Sequence, residues 1–138
     1  MSNAAWELAE DDFDDHWRRM GKRAFLFEFK DARHLRGMNK RPTAVGKQPS
    51  DRLVTCDGVT FFAEVKYTDD PGRFDFSLIK PGQHGTGIMV SAAGGEYRVY
   101  VKSGALNQWF MIPYPVIRDW HKKSMTWQDL QPYKVTIA

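Results

Sequence analysis

Apolar positions recur at two different periods along this chain. From Trp6 to Met20 they fall at Trp6, Leu8, Ala9, Phe13, Trp17 and Met20, the spacing of an amphipathic helix that Gly21 would end. One face of that helix should pack on a sheet. Ala24 to Phe29 alternates less regularly, but its phenylalanines favour a first strand. Leu53 to Cys56 and Val59 to Val65 are β-rich runs, and Asp57-Gly58 between them is a strong short hairpin signal. The two runs should therefore lie side by side.

Asp69-Asp70-Pro71-Gly72 reads as a turn, and Pro81 suits the first turn of a helix that runs to Ala92 or Ala93. Glycines at 82, 85 and 87 each weaken that helix by roughly 1 kcal/mol relative to alanine, so a short or irregular helix is expected. Two strands follow, Tyr97 to Val101 and Trp109 to Ile112, then a helical stretch from Pro115 to Lys122 and a closing strand from Tyr133 to Ile137. The main order is one helix, three strands, one helix and two strands, which predicts an α/β fold with a central mixed sheet flanked by helices. The chain has 138 residues, 42% of them hydrophobic, enough for one ordinary core in a single domain spanning 1–138. Met1-Ser2-Asn3-Ala4 is a small polar leader outside that reading.

Composition narrows the setting. Cys56 is the sole cysteine, so an internal disulfide and a cysteine-based zinc site are both excluded, as suits a reducing compartment. No apolar run is long enough to span a bilayer and the N-terminus lacks the regions of a secretory signal; a soluble, cytoplasmic protein with no membrane partner is expected. The formal net charge of +3 conceals an asymmetry. Glu7, Glu10, Asp11, Asp12, Asp14 and Asp15 crowd the first fifteen residues, whereas Lys22 to Arg52 holds nine basic residues against three acidic ones. A basic segment containing Arg33, Arg36, Lys40, Arg41 and Lys47, punctuated by Gly37 and Pro42, leads into Pro49-Ser50-Asp51. It is suited to a polyanion such as a nucleic-acid backbone, the alternative being a solvated face.

With a turn at Asp57-Gly58, Asp51 falls at the far end of one strand, and Glu64 and Lys66 at the far end of the other. Alternation sends Glu64 and Lys66 to one face and Val65 to the opposite one. The Asp51 and Glu64 carboxylates, with the Val65 carbonyl, are hard oxygen donors suited to Mg²⁺, with Mn²⁺ as a substitute. Each residue also has an ordinary reading: Asp51 as a turn or cap, Glu64 and Lys66 as an ion pair, Gln83 as a solvent-facing glutamine.

The arrangement Ser50-Asp51 followed by Glu64-Val65-Lys66 resembles the PD-(D/E)XK nuclease superfamily. From about residue 47 to 120 the order is similar to Holliday junction resolvases of the RecU type and their phage-encoded relatives. It runs Lys66-Tyr67-Thr68, Arg73 to Ile79, Gln83, Gly94-Gly95 and two strands. The resemblance implies a restriction-endonuclease-like core and a Mg²⁺-dependent endodeoxyribonuclease that cuts branched DNA in recombination or repair, as a homodimer. Asp51 and Glu64 would bind metal and act in catalysis, Lys66 would steady the transition state, and Gln83 would hold water or a phosphate oxygen. Glu10 is the acid of the first helix that would join the metal. Two alternatives stand beside this: a less selective nuclease of the same superfamily, and a non-catalytic nucleic-acid-binding module. The histidines show no paired metal-ligand spacing and read as surface or packing residues, and stacking of Trp109 or Tyr114 on DNA competes with core packing.

Overall fold

A computed structural model describes residues 4–29 and 50–138. The basic residues Arg33, Arg36, Lys40, Arg41 and Lys47 lie outside the described residues, as does His34. Helix α1 (Ala5–Arg18) leads into strand β1 (Ala24–Glu28). Strands β2 (Arg52–Cys56) and β3 (Val59–Thr68) follow, then the short β4 (Arg73–Asp75) and helix α2 (Pro81–Ala92). After these come β5 (Tyr97–Ser103), β6 (Gln108–Pro113), α3 (Tyr114–Asp119), β7 (Ser124–Thr126) and β8 (Lys134–Val135). Six strands form one sheet in the order β1-β2-β3-β5-β6-β8, and β4 pairs with β7 in a small separate sheet. Among the described residues only β3 and β5 are parallel neighbours; the other neighbours run antiparallel. The parallel pair is joined by the crossover that contains α2, as parallel neighbours require.

Alternation along β3 divides the core in two. Phe61, Ala63 and Val65 point to the face covered by α1, where they meet Ala9, Phe13, Trp17, Val54, Tyr100 and Trp109. The opposite face, with Val99, Val101, Phe110 and Ile112, packs against α3 and the β4/β7 pair through Ile117, Phe74 and Met125. The buried stripe of α1 is narrower than the apolar pattern suggests. Ala9, Phe13 and Trp17 are buried at i, i+4 spacing, while Trp6 and Leu8 are exposed. Phe25 and Phe27 of the edge strand β1 are exposed as well, so its phenylalanine content marks a strand without marking a core.

Two predicted segments near the C-terminus differ in extent. The closing strand, expected over 133–137, contracts to two residues paired with Trp109 and Phe110. The helix expected over 115–122 starts at Tyr114 and ends at Asp119. Helix α2 runs its full length despite its glycines. At Gly87 the gain is contact: a Cβ there would collide with the Tyr114 ring, so the missing side chain lets α3 sit close against α2. The sequence pattern does not predict the pairing of β4 with β7, because three-residue strands carry too little periodicity to be recognised.

Candidate active site

Asp57 and Gly58 both adopt positive φ, +48° and +85°, the conformation of a tight two-residue hairpin. The turn sets the register Cys56↔Val59, Val54↔Phe61 and Arg52↔Ala63, at which the β2–β3 ladder ends. One residue beyond, Asp51 lies across from Glu64, and its backbone N–H donates to Glu64 Oε1 at 3.1 Å. Lys66 is on the same face, its Nζ 3.9 Å from Glu64 Oε2. The hairpin thus brings together the two acids and the lysine that the sequence singled out. Val65 points into the α1 core. By ladder alternation its carbonyl lies along the strip that β2 has vacated, on the Asp51 side.

Glu64 is completely buried, and both of its carboxylate oxygens are served by donors. Oε1 accepts from the Asp51 N–H and from the Tyr97 hydroxyl at 3.1 Å; Oε2 accepts from Gln83 Nε2 at 2.9 Å, with Lys66 farther off. An ion pair with Lys66 alone therefore does not account for Glu64. Gln83 is not solvent-facing: at the third position of α2 its Oε1 accepts from the Lys80 N–H at 2.9 Å while its amide donates to Glu64. One side chain caps the helix and ties it to the acid. Even so, burial pushes the Glu64 carboxyl up to about 8, with the charge and hydrogen bonding of neighbouring Asp51 adding to the rise.

The sequence pattern does not single out Tyr97. It opens β5, and the parallel register places Phe62 rather than Glu64 beside it, so only the three-dimensional packing brings its hydroxyl to Glu64. Burial and the Glu64 charge raise its own phenol. Tyr97 packs edge-on against Tyr114 with ring centroids 5.9 Å apart. The Tyr114 hydroxyl bonds His84 Nδ1 at 2.7 Å, and His84 Nε2 lies 3.1 Å from the Phe76 carbonyl. His84 and Tyr114 thus brace this wall, and Tyr114 and Trp109 are buried packing residues.

Glu10 reaches the edge of the site from α1. Its Oε1 accepts from Arg52 Nη1 at 2.9 Å, and burial raises its carboxyl, with Arg52 opposing and the Asp51 charge adding to the rise. Asp14, one turn on, accepts from Arg52 Nε and Nη2 at 2.7 and 3.1 Å. Among the described residues no group of three or more His, Cys, Asp or Glu side chains converges as a complete metal cage. The donor set nonetheless suits Mg²⁺, which is commonly bound by one or two carboxylates with water and substrate phosphate completing its shell. Acids outnumber cations at this end of the sheet: Lys66 stands beside Glu64 and Asp51 on one face, while Arg52 on the other is shared by Asp14 and Glu10, with Glu28 3.9 Å away.

The architecture is a mixed α/β fold, a central mixed sheet flanked by helices. Among solved structures it is similar to Hjc, a Holliday junction resolvase from the hyperthermophilic archaeon Archaeoglobus fulgidus, with a TM-score of 0.62 at 15% identity over 96% of each chain. No protein-family model and no curated protein matches the sequence. No helix among the described residues is long and apolar enough to cross a membrane.

Proposed function

We propose that this protein is a divalent-metal-dependent DNA endonuclease acting on branched DNA, most specifically a Holliday junction resolvase working as a homodimer. The observation that carries the proposal is the Asp51–Glu64–Lys66 constellation at the open end of a hairpin, within a fold similar to that of a resolvase. Within the resolvases, the motif order from Lys66 through Gln83 to Gly94-Gly95 favours the RecU type.

Asp51 and Glu64, with the Val65 carbonyl, would hold Mg²⁺, and Glu10, held on Arg52 at 2.9 Å, is the α1 acid that would join them. Bound there, the cation would polarise the scissile phosphate and lower the pKa of the attacking water. The Lys66 ammonium would offset negative charge that develops on the phosphate. Gln83 and Tyr97 would keep the Glu64 carboxylate in one orientation, since outer partners of a ligating carboxylate fix its geometry. Arg33, Arg36, Lys40, Arg41 and Lys47 would grip the DNA backbone and set its register without reading sequence.

The test is cleavage of a four-way junction in Mg²⁺, beside nicked and linear duplexes. Wild type should cut the junction preferentially, and Asp51→Ala should lose that activity. Equal cleavage by the two rejects the assigned site, equal cleavage of all substrates points to a less selective nuclease, and DNA binding in EDTA without cleavage under any metal leaves only a binding module.

A further inference from the structure

Arg52 is only 3% exposed, yet it carries a full charge into the α1 face of the sheet. Its guanidinium is engaged from three nitrogens, two on the carboxylate oxygens of Asp14 and one on Glu10. Stability alone explains such a group poorly, because well-packed apolar residues commonly replace a buried ion pair at no loss. Its position explains it better. Arg52 is the last β2 residue in the ladder with β3, and the next residue outward is Asp51.

Alternation sends the Arg52 side chain to α1 and puts Asp51 on the Glu64 side. Locking Arg52 to α1 therefore fixes where β2 stops and how the Asp51 backbone is presented. That backbone is held from both sides: its carbonyl accepts from the Phe29 N–H at 3.0 Å and its N–H donates to Glu64 at 3.1 Å. Glu10, by contrast, is tied to Arg52 through one nitrogen and keeps 27% side-chain exposure.

We infer that Arg52, braced by Asp14, is a positioning residue that aligns Asp51 with Glu64 and keeps Glu10 at the border of the site. The inference rests on the metal-site reading above. A lysine would retain the charge but not the planar fork that spans two carboxylates.

The experiment compares wild type with Arg52→Lys by amide hydrogen exchange on ¹⁵N-labelled protein, and by Mn²⁺ titration followed through the resonance of free Mn²⁺. The variant should exchange the Asp51 amide at least about tenfold faster while the core amides of Val54 and Val101 keep their protection. Its Mn²⁺ Kd should rise roughly 10- to 100-fold, the usual consequence of losing an outer partner. If Arg52→Lys does not fold, Asp14→Asn, which removes the brace at nearly constant volume, is read in the same way. Unchanged Asp51 exchange with an unchanged Kd overturns the inference, as does acceleration spread evenly over the core, which marks a merely structural residue. Wild type that takes up no Mn²⁺ overturns the metal-site reading itself, and this inference with it, before any variant is compared.

Discussion

Replacing Glu64 by glutamine should make the metal-free protein less stable in acid and more stable in mild alkali. The carboxyl titrates near 4.5 when unfolded and is pushed up to about 8 in the folded protein, chiefly by burial and then by Asp51. Between those values the folded state holds a proton that the unfolded chain releases, so wild-type stability falls as pH rises, by about 1.4 kcal/mol per pH unit. The loss approaches about 5 kcal/mol once pH has passed the folded value. The substituted glutamine does not titrate, but it has its own cost: its amide nitrogen would confront Gln83 Nε2 and Lys66, both donors. A mismatched buried group of this kind costs about 2 kcal/mol. The variant should therefore start below wild type at pH 5, cross it near pH 6 and exceed it by roughly 2 kcal/mol at pH 8. Urea unfolding in EDTA at each pH measures the difference, and other titrating groups cancel because both proteins share them. Saturating Mg²⁺ at pH 8 should stabilise wild type and leave the variant unmoved. A difference independent of pH, or wild type the more stable at pH 8 without metal, would rule this account out.

Tyr97→Phe removes one donor from Glu64 Oε1, and a hydrogen bond to a charged group is worth about 1.5–3 kcal/mol; the apparent Mn²⁺ Kd at pH 8 should rise roughly tenfold or more by calorimetry, with little change in stability at pH 5, where Glu64 is protonated. Because a bound cation must displace that proton, wild-type affinity for Mn²⁺ should weaken by up to about tenfold per pH unit as pH is lowered from about 8, and a flat titration series from pH 8 to 6 would contradict it. Gly87→Ala gains roughly 1 kcal/mol of helix propensity but drives a Cβ into the Tyr114 ring, an overpacking cost of about 1–3 kcal/mol, so the melting temperature should drop. Gly85→Ala meets open space and should raise it, and two shifts of the same sign would show that the ring yields.

The part of the site that was legible in sequence is the part governed by local rules. A two-residue turn fixes a register, a register fixes which residues end together, and alternation fixes which share a face. Those steps place Asp51, Glu64 and Lys66 correctly from spacing alone. Helix α1, the hairpin and the β5–β6 pair were legible for the same reason. Tyr97 and Asp14 obey no such rule toward the residues they serve. Tyr97 stands 33 positions from Glu64, and Asp14 stands 38 from Arg52. In sequence the first is one more strand aromatic, and the second is one of several acids along the first helix.

A signal existed nonetheless in the polar residues that sit where the pattern wants apolar ones. Glu64 lies in an apolar strand, and Arg52 opens one that continues Leu53-Val54. Each is buried, and each obliges the fold to supply partners from elsewhere. The two are answered differently. Arg52 receives two carboxylates, so its charge is more than compensated and its position fixed. Glu64 receives neutral donors and one lysine at the limit of ion-pair range, beside a second acid. Its geometry is satisfied while its charge is not, which is why burial and Asp51 together hold its proton to about pH 8. A buried group that is fully hydrogen-bonded but electrostatically uncompensated is poorly suited to be a structural brace. It is well suited to a site completed by a divalent cation, whose arrival would release the proton and align both acids at once.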